Sequence, residues 1–145
     1  MAPALTAGDW ADVSAPSLDD FEILARAAFE TLPEPFKSLV QGVPCAVAEF
    51  GDEETLEELG IESKFDLMGL FRGVGRTEYG MTEATGQLPN QIWLYRRPIL
   101  DYWAEHEETL GAVITHVLIH EIGHHFGFSD ADMEEIEARA EREGQ

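Results

Sequence analysis

The spacing of apolar positions divides the chain into segments of different period. After Ser17, the run LDDFEILARAAFETL places Phe21, Leu24, Ala25, Ala28, Phe29 and Leu32 on one face of a helix, and Pro33 ends it. Ser17 and Asp20 supply an S-x-x-D start, in which each residue can satisfy the other's backbone N–H. Three short β-compatible runs follow, VPCAVAEF (43–50), DLMGLFRGV (66–74) and QIWLYRRP (91–98), each bounded by turn residues. DEETLEELG, between the first two, reads as a short acidic helix or turn. GRTEYGMTEATGQLPN, between the last two, reads as a loop of the kind that often borders a functional cleft. Its glycines, with Gly73, lack the spacing and the following helix of a dinucleotide site.

From Pro98 the pattern turns helical. PILDYWAEH makes one turn or two, and EETLGAVITHVLIHEIGHHFG makes a long helix. The middle of that helix is apolar nearly all round (Ala112, Val113, Ile114, Val117, Leu118, Ile119, Ile122), which predicts burial at the centre of the molecule. Gly127 suits the left-handed position that ends helices, and Ser129 with Asp132 repeats the S-x-x-D start before MEEIEARAERE. Helix, strands, then helices predict an α+β class: a small, mostly antiparallel sheet packed against helices. Residues 1–17 read as a flexible N-terminal tail and 18–145 as a single domain.

Composition narrows the function classes. With 145 residues, 44% of them hydrophobic, the chain can bury one real core. Its formal net charge of -20 would repel phosphate, so neither nucleic acid nor an anionic membrane is an expected partner. The same charge favours solubility and would attract cationic substrates or metal ions. No apolar run approaches the roughly 20 residues of a membrane span. The first residues hold no Lys or Arg before Arg26 and no continuous apolar stretch, so no secretory signal is expected. The single cysteine, Cys45, cannot form an internal disulfide; a small buried residue in a cytoplasmic protein is the simplest reading.

The chemistry concentrates in HEIGHHFGFSD, residues 120–130. On a helix, positions four apart are about 40° from eclipsed, so His120 and His124 project from one face and can meet one ion. Glu121 sits beside that ion, where it can take a proton from water the ion has acidified. A zinc site of this kind needs a third protein ligand and an open position. Gly127 would let the chain double back and bring Asp130 to the ion. Requiring Gly127 and Asp130 as well as H-E-x-x-H makes chance occurrence far rarer than for the bare motif. The competing readings are structural: His120 and His124 as buried core histidines, and Asp130 as a first-turn acid complementing a helix dipole. An unpaired buried carboxylate is costly, which leaves Glu121 harder to explain structurally.

HEIGHHFGFSD resembles the H-E-x-x-H-x-x-G-x-x-D signature of the small bacterial zincin-like metallopeptidases, the minimal zincins. LPNQIWLYRRPILDYW, GLFRGV and LPEPFKSLV are similar to that family too, so the resemblance covers roughly residues 18–133. It implies a compact α+β zincin core with the motif on the central buried helix. It also implies one zinc ion on His120, His124 and Asp130, with Glu121 as the catalytic base of a peptide hydrolase. The motif is similar to that of the metzincins as well, with Asp130 where those proteases have a third histidine. A carboxylate ligand leaves the ion a weaker Lewis acid, and an exposed aspartate would hold it only moderately, so the ion could be lost on purification.

The remaining candidates are weaker. His116 lies one turn before His120 and is a core or rim histidine, an outer hydrogen-bond partner or a spare ligand. His125 points about 100° away from His124. Arg72, Arg76, Arg96 and Arg97 pair with surface acids or, with Tyr79, approach the site. By analogy with zincin edge strands, QIWLYRRP could add an extended peptide strand. The expected partner is a peptide or protein substrate. The alternative function is a zincin-fold interaction module, metal-binding or metal-free, with little or no hydrolytic activity.

Overall fold

A computed structural model describes residues 6–73 and 90–143, which contain seven helices and three short strands. Within the segment read as a tail, Ala7–Ala11 forms a short helix (α1), closed by reciprocal bonds between Thr6 and Asp9, with no buried residue. Helix α2 (Leu18–Glu30) starts as its cap predicts: Ser17 Oγ accepts from Asp20 N at 3.1 Å, and Asp20 Oδ2 accepts from Ser17 N at 2.8 Å. Phe21, Ala25 and Ala28 on its inner face are buried. Helix α3 (Phe36–Leu39) follows, with Phe36 fully enclosed.

The sheet holds β1 (Cys45–Ala48), β2 (Gly69–Arg72) and β3 (Gln91–Tyr95) in the order β1-β3-β2. β2 and β3 pair antiparallel, with Gly69 opposite Leu94, and β1 and β3 pair parallel, with Cys45 opposite Ile92. The sheet is therefore mixed, within the expected α+β class. β3 is its central strand. Both its edges are occupied, so the expectation that QIWLYRRP adds a peptide strand is corrected: among the described residues the unpaired strand edges are those of β1 and β2. Helix α4 (Glu53–Leu59) lies between β1 and β2 in the chain and ends at Gly60 in the left-handed conformation. The loop read between β2 and β3, with Gly75, Arg76, Tyr79 and Gly80, lies outside the described residues.

Helix α5 (Arg96–Glu105) begins directly after β3, two residues before the expected start and with more turns. Pro98 falls in its first turn, where a missing N–H costs nothing, so proline does not mark the boundary. Helix α6 (Leu110–His125) is capped by Thr109, whose Oγ1 accepts from Ala112 N at 3.1 Å. Val113, Ile114, Val117, Leu118, Ile119, Ile122 and Gly123 are buried, while Ala112 is exposed. Helix α7 (Asp130–Glu143) is the last described element. No helix among the described residues is long and apolar enough to cross a membrane.

Helix α6 is the hub: α2, α3, α5, α7 and β2 all pack on it. Ile92 and Leu94 of β3, fully buried, and Phe71 of β2 join it in one core with Phe21 and Phe36. Each such buried aliphatic or aromatic side chain is worth about 1.5–3 kcal/mol. Two glycines set the closest approaches. A methyl group on Gly69 would lie 2.8 Å from Val117 Cγ1 and 3.3 Å from Glu121 Cγ, so β2 rests directly against α6. A methyl group on Gly123 would collide with Met133 Sδ, and Met133 is fully buried on α7.

That second contact predicts a contrast within one helix. Gly123→Ala should lower the unfolding free energy by about 1–3 kcal/mol through overpacking against Met133, despite alanine's better helix propensity. Gly111→Ala, with nothing within 4 Å of the new methyl group, should raise it by about 0.5 kcal/mol. Urea denaturation measures both, and a Gly123→Ala protein as stable as wild type would show that α7 does not depend on this contact.

Candidate metal centre

The last three turns of α6 carry His116, His120, Glu121, His124 and His125. The four-residue repeat aligns His116, His120 and His124 in a stripe: ring centroids lie 4.1 Å apart for the first pair and 5.8 Å for the second.

The chain then reverses within a few residues. Gly127 adopts φ +86°, which only glycine reaches without strain, and its N–H donates to His124 O at 3.2 Å. Phe128 N donates to Gly123 O at 2.8 Å, completing the paired bonds of a Schellman stop. The Phe128 ring packs on Phe36 at a centroid distance of 5.2 Å, tying the turn to the core. Ser129 and Asp132 then exchange bonds of 3.0 and 3.3 Å and launch α7. Asp130, the first residue of α7, thereby faces back to α6, with its Oδ1 3.0 Å from His124 Nε2. The first-turn position and the approach to the histidines coexist.

One donor atom each from His120, His124 and Asp130 lies within 4.8 Å of the others. A tetrahedral zinc ion holds its ligands roughly 3.4 Å apart, so small side-chain rotations bring this nitrogen, nitrogen and oxygen set to one ion. His120 Nε2 is shielded from solvent yet makes no hydrogen bond; the nearest carboxylate oxygen, Glu137 Oε1, is 3.7 Å away. A buried polar atom left in this way fits a ligand position. His124 and Asp130 are more open, with side chains 57% and 74% exposed, which leaves room for a water or a substrate on that side.

Electrostatics separates the two carboxylates. Burial pushes the Glu121 carboxyl up to about 7, against a smaller opposing effect of His124. The hydrogen bond from His124 holds Asp130 below the usual carboxylate range. Burial, then the neighbouring His116, lowers the His120 pKa and favours the neutral imidazole that can donate a lone pair.

The other candidates are elsewhere. His125 stacks on Phe71 at 3.9 Å, on the sheet side of α6. Arg72 bonds Thr55 Oγ1 at 3.0 Å and Glu58 at 3.1 Å; Arg96 bonds Pro16 O and Glu49; Arg97 lies over the Phe50 ring. These arginines serve the surface and the sheet's far side. Cys45 packs against the core, and burial raises its thiol to about 12, far from a reactive thiolate. Glu137 is the residue that sequence reasoning missed. It lies two turns after Asp130, on the stripe through Met133 that faces α6, and that spacing was the available signal.

A family model for zincin-like metallopeptidases matches residues 40–140, from the end of α3 into α7. No curated protein matches the sequence.

The raised Glu121 pKa has a consequence for stability in the metal-free protein. A carboxyl with a folded pKa of about 7 and an ordinary value of 4.5 binds more protons folded than unfolded between those limits. Its contribution is present below that window and is lost as pH rises through it. Relative to wild type, Glu121→Gln should therefore gain about 1–3 kcal/mol in urea denaturation between pH 4.5 and 7.5. Parallel stability curves would place the Glu121 carboxylate in bulk-like solvent.

Proposed function

We propose a zinc-dependent peptide hydrolase: the chain belongs to the zincin-like metallopeptidase family, and its own residues bring the parts of such a site together. The observation that carries this reading is the convergence of donor atoms of His120 and His124 on α6 and Asp130 on α7 within 4.8 Å, beside Glu121 of α6. These three residues would hold the ion, and two nitrogens with one oxygen form a donor set zinc accepts. When bound, zinc supplies Lewis acidity that polarises a peptide carbonyl and acidifies water.

Glu121 does the proton work. Its carboxylate accepts a proton from the water that attacks the carbonyl carbon, and donates it to the nitrogen as the C–N bond breaks. A pKa near 7 suits both halves of that task, because the group gains and loses a proton at little cost near neutrality. Gly69 brings β2 close beside Glu121: a methyl group there would lie 3.3 Å from Glu121 Cγ and 2.8 Å from Val117 Cγ1. β2 pairs with β3 alone among the described residues, so its outer edge supports an extended peptide backbone beside Glu121.

Two measurements test the proposal together. Dialysed protein should take up about one zinc per chain, and His120→Ala should take up none. Glu121→Gln should keep the ion while peptide turnover falls by at least about 100-fold, the usual range for loss of a general base. A metal-loaded Glu121→Gln protein that cleaves as fast as wild type would remove Glu121 from the mechanism. Failure of the wild type to bind zinc would favour the interaction module instead.

A further inference from the structure

The stripe of histidines on α6 is longer than the proposed site uses. His116 Nδ1 lies 2.9 Å from Glu137 Oε2, and His120 Nε2 lies 3.7 Å from Glu137 Oε1. The two oxygens of one carboxylate are thus divided between two imidazoles whose rings are 4.1 Å apart. Donor atoms of His116, His120 and Glu137 lie within 4.8 Å of one another, as do those of His120, His124 and Asp130. Their chemistry is the same as well: two imidazole nitrogens and one carboxylate oxygen, a set suited to zinc and other divalent transition ions.

We propose that His116, His120 and Glu137 form a second seat for a divalent ion, one helical turn back along α6, and that the two seats are alternatives. The inference rests on the reading of His120 as a ligand in the outer seat. The alternation follows from His120 itself. It belongs to both sets, and a neutral imidazole has one lone pair to give, so one ion at a time is held. The inner seat is the more enclosed, with His116 and Glu137 side chains 44% and 22% exposed against 57% and 74% for His124 and Asp130. Met133 wedged against Gly123 holds α7 beside α6 between the two seats and keeps Glu137 in place. An ion in the inner seat leaves His124 and Asp130 to their mutual 3.0 Å hydrogen bond. The inner seat is then a holding position, and the outer seat is the one open to solvent.

The experiment is a titration of the full-length, metal-free protein with zinc by calorimetry, and with cobalt by visible absorption, which reports the ligand set without turnover. Wild type should bind one equivalent. His124→Ala, a change at an exposed position that leaves the fold intact, should still bind one equivalent, with an altered cobalt spectrum. Glu137→Gln should bind one equivalent through the outer seat, and the double variant should bind none. His116→Ala in place of Glu137→Gln gives an independent version of the same comparison. Loss of binding in His124→Ala with full binding in Glu137→Gln would overturn the inner seat and leave the outer one standing. Loss in Glu137→Gln with full binding in His124→Ala would overturn the outer seat instead. Two equivalents in wild type would overturn the alternation.

Discussion

Everything in this molecule hangs on the burial of one helix. α2, α3, α5, α7 and β2 all pack on α6, and its apolar side chains supply six of the eighteen buried residues of the shared core, more than any other element. A helix surrounded in this way has little freedom to slide or rotate, because interiors are close-packed and each neighbour is keyed to a particular turn. Gly69 and Gly123 make two of those keys. At each, the absence of a side chain lets another element come nearer than any other residue would permit. The polar residues at the end of α6 therefore sit on a rigid support. Their positions are consequences of apolar packing before they are consequences of any ligand.

The same rigidity explains why so short a connection can shape the site. Between His125 and Asp130 the chain stops one helix and starts another using only local bonds: the left-handed Gly127, the bond from Phe128 N to Gly123 O, and the exchange between Ser129 and Asp132. Phe128 against Phe36 fixes this turn to the core. Asp130 and Glu137 then need no loop to place them. Both lie on one face of α7, and Met133 between them sets the face against α6.

Local features were legible in the sequence, and non-local ones were not. The caps at Ser17 and Ser129, the stop at Gly127 and the His120 and His124 pair all depend on residues within four positions of each other, where backbone geometry leaves little choice. The class and the buried central helix followed from period and from apolar content around the whole helix. Strand order was hidden, because nothing in QIWLYRRP says that β1 arrives on one side and β2 on the other; hence the mistaken expectation that β3 could accept a peptide strand. The start of α5 was hidden by Pro98, which tolerates the first turn of a helix as readily as it ends a strand. Gly69 and Gly123 read as ordinary glycines, since their meaning lies in Val117, Glu121 and Met133. Glu137 looked like one more acid on a charged helix in a chain of net charge -20.

The two carboxylates of the proposed catalytic site show why position outweighs residue type. Glu121 and Asp130 have similar intrinsic acidity, yet their surroundings drive them apart. Glu121 is wedged between α6 and β2, and loss of water raises it to about 7, so it can carry a proton near neutrality. Asp130 lies in solvent beside His124, and that hydrogen bond keeps it an anion. An anion within reach of two imidazoles supports a ligand role, and a protonatable carboxyl against the glycine of β2 supports a proton carrier. Exchanging the two environments would exchange the roles. The division of labour in the proposed hydrolase therefore rests on the packing of β2 at Gly69 and on the turn at Gly127.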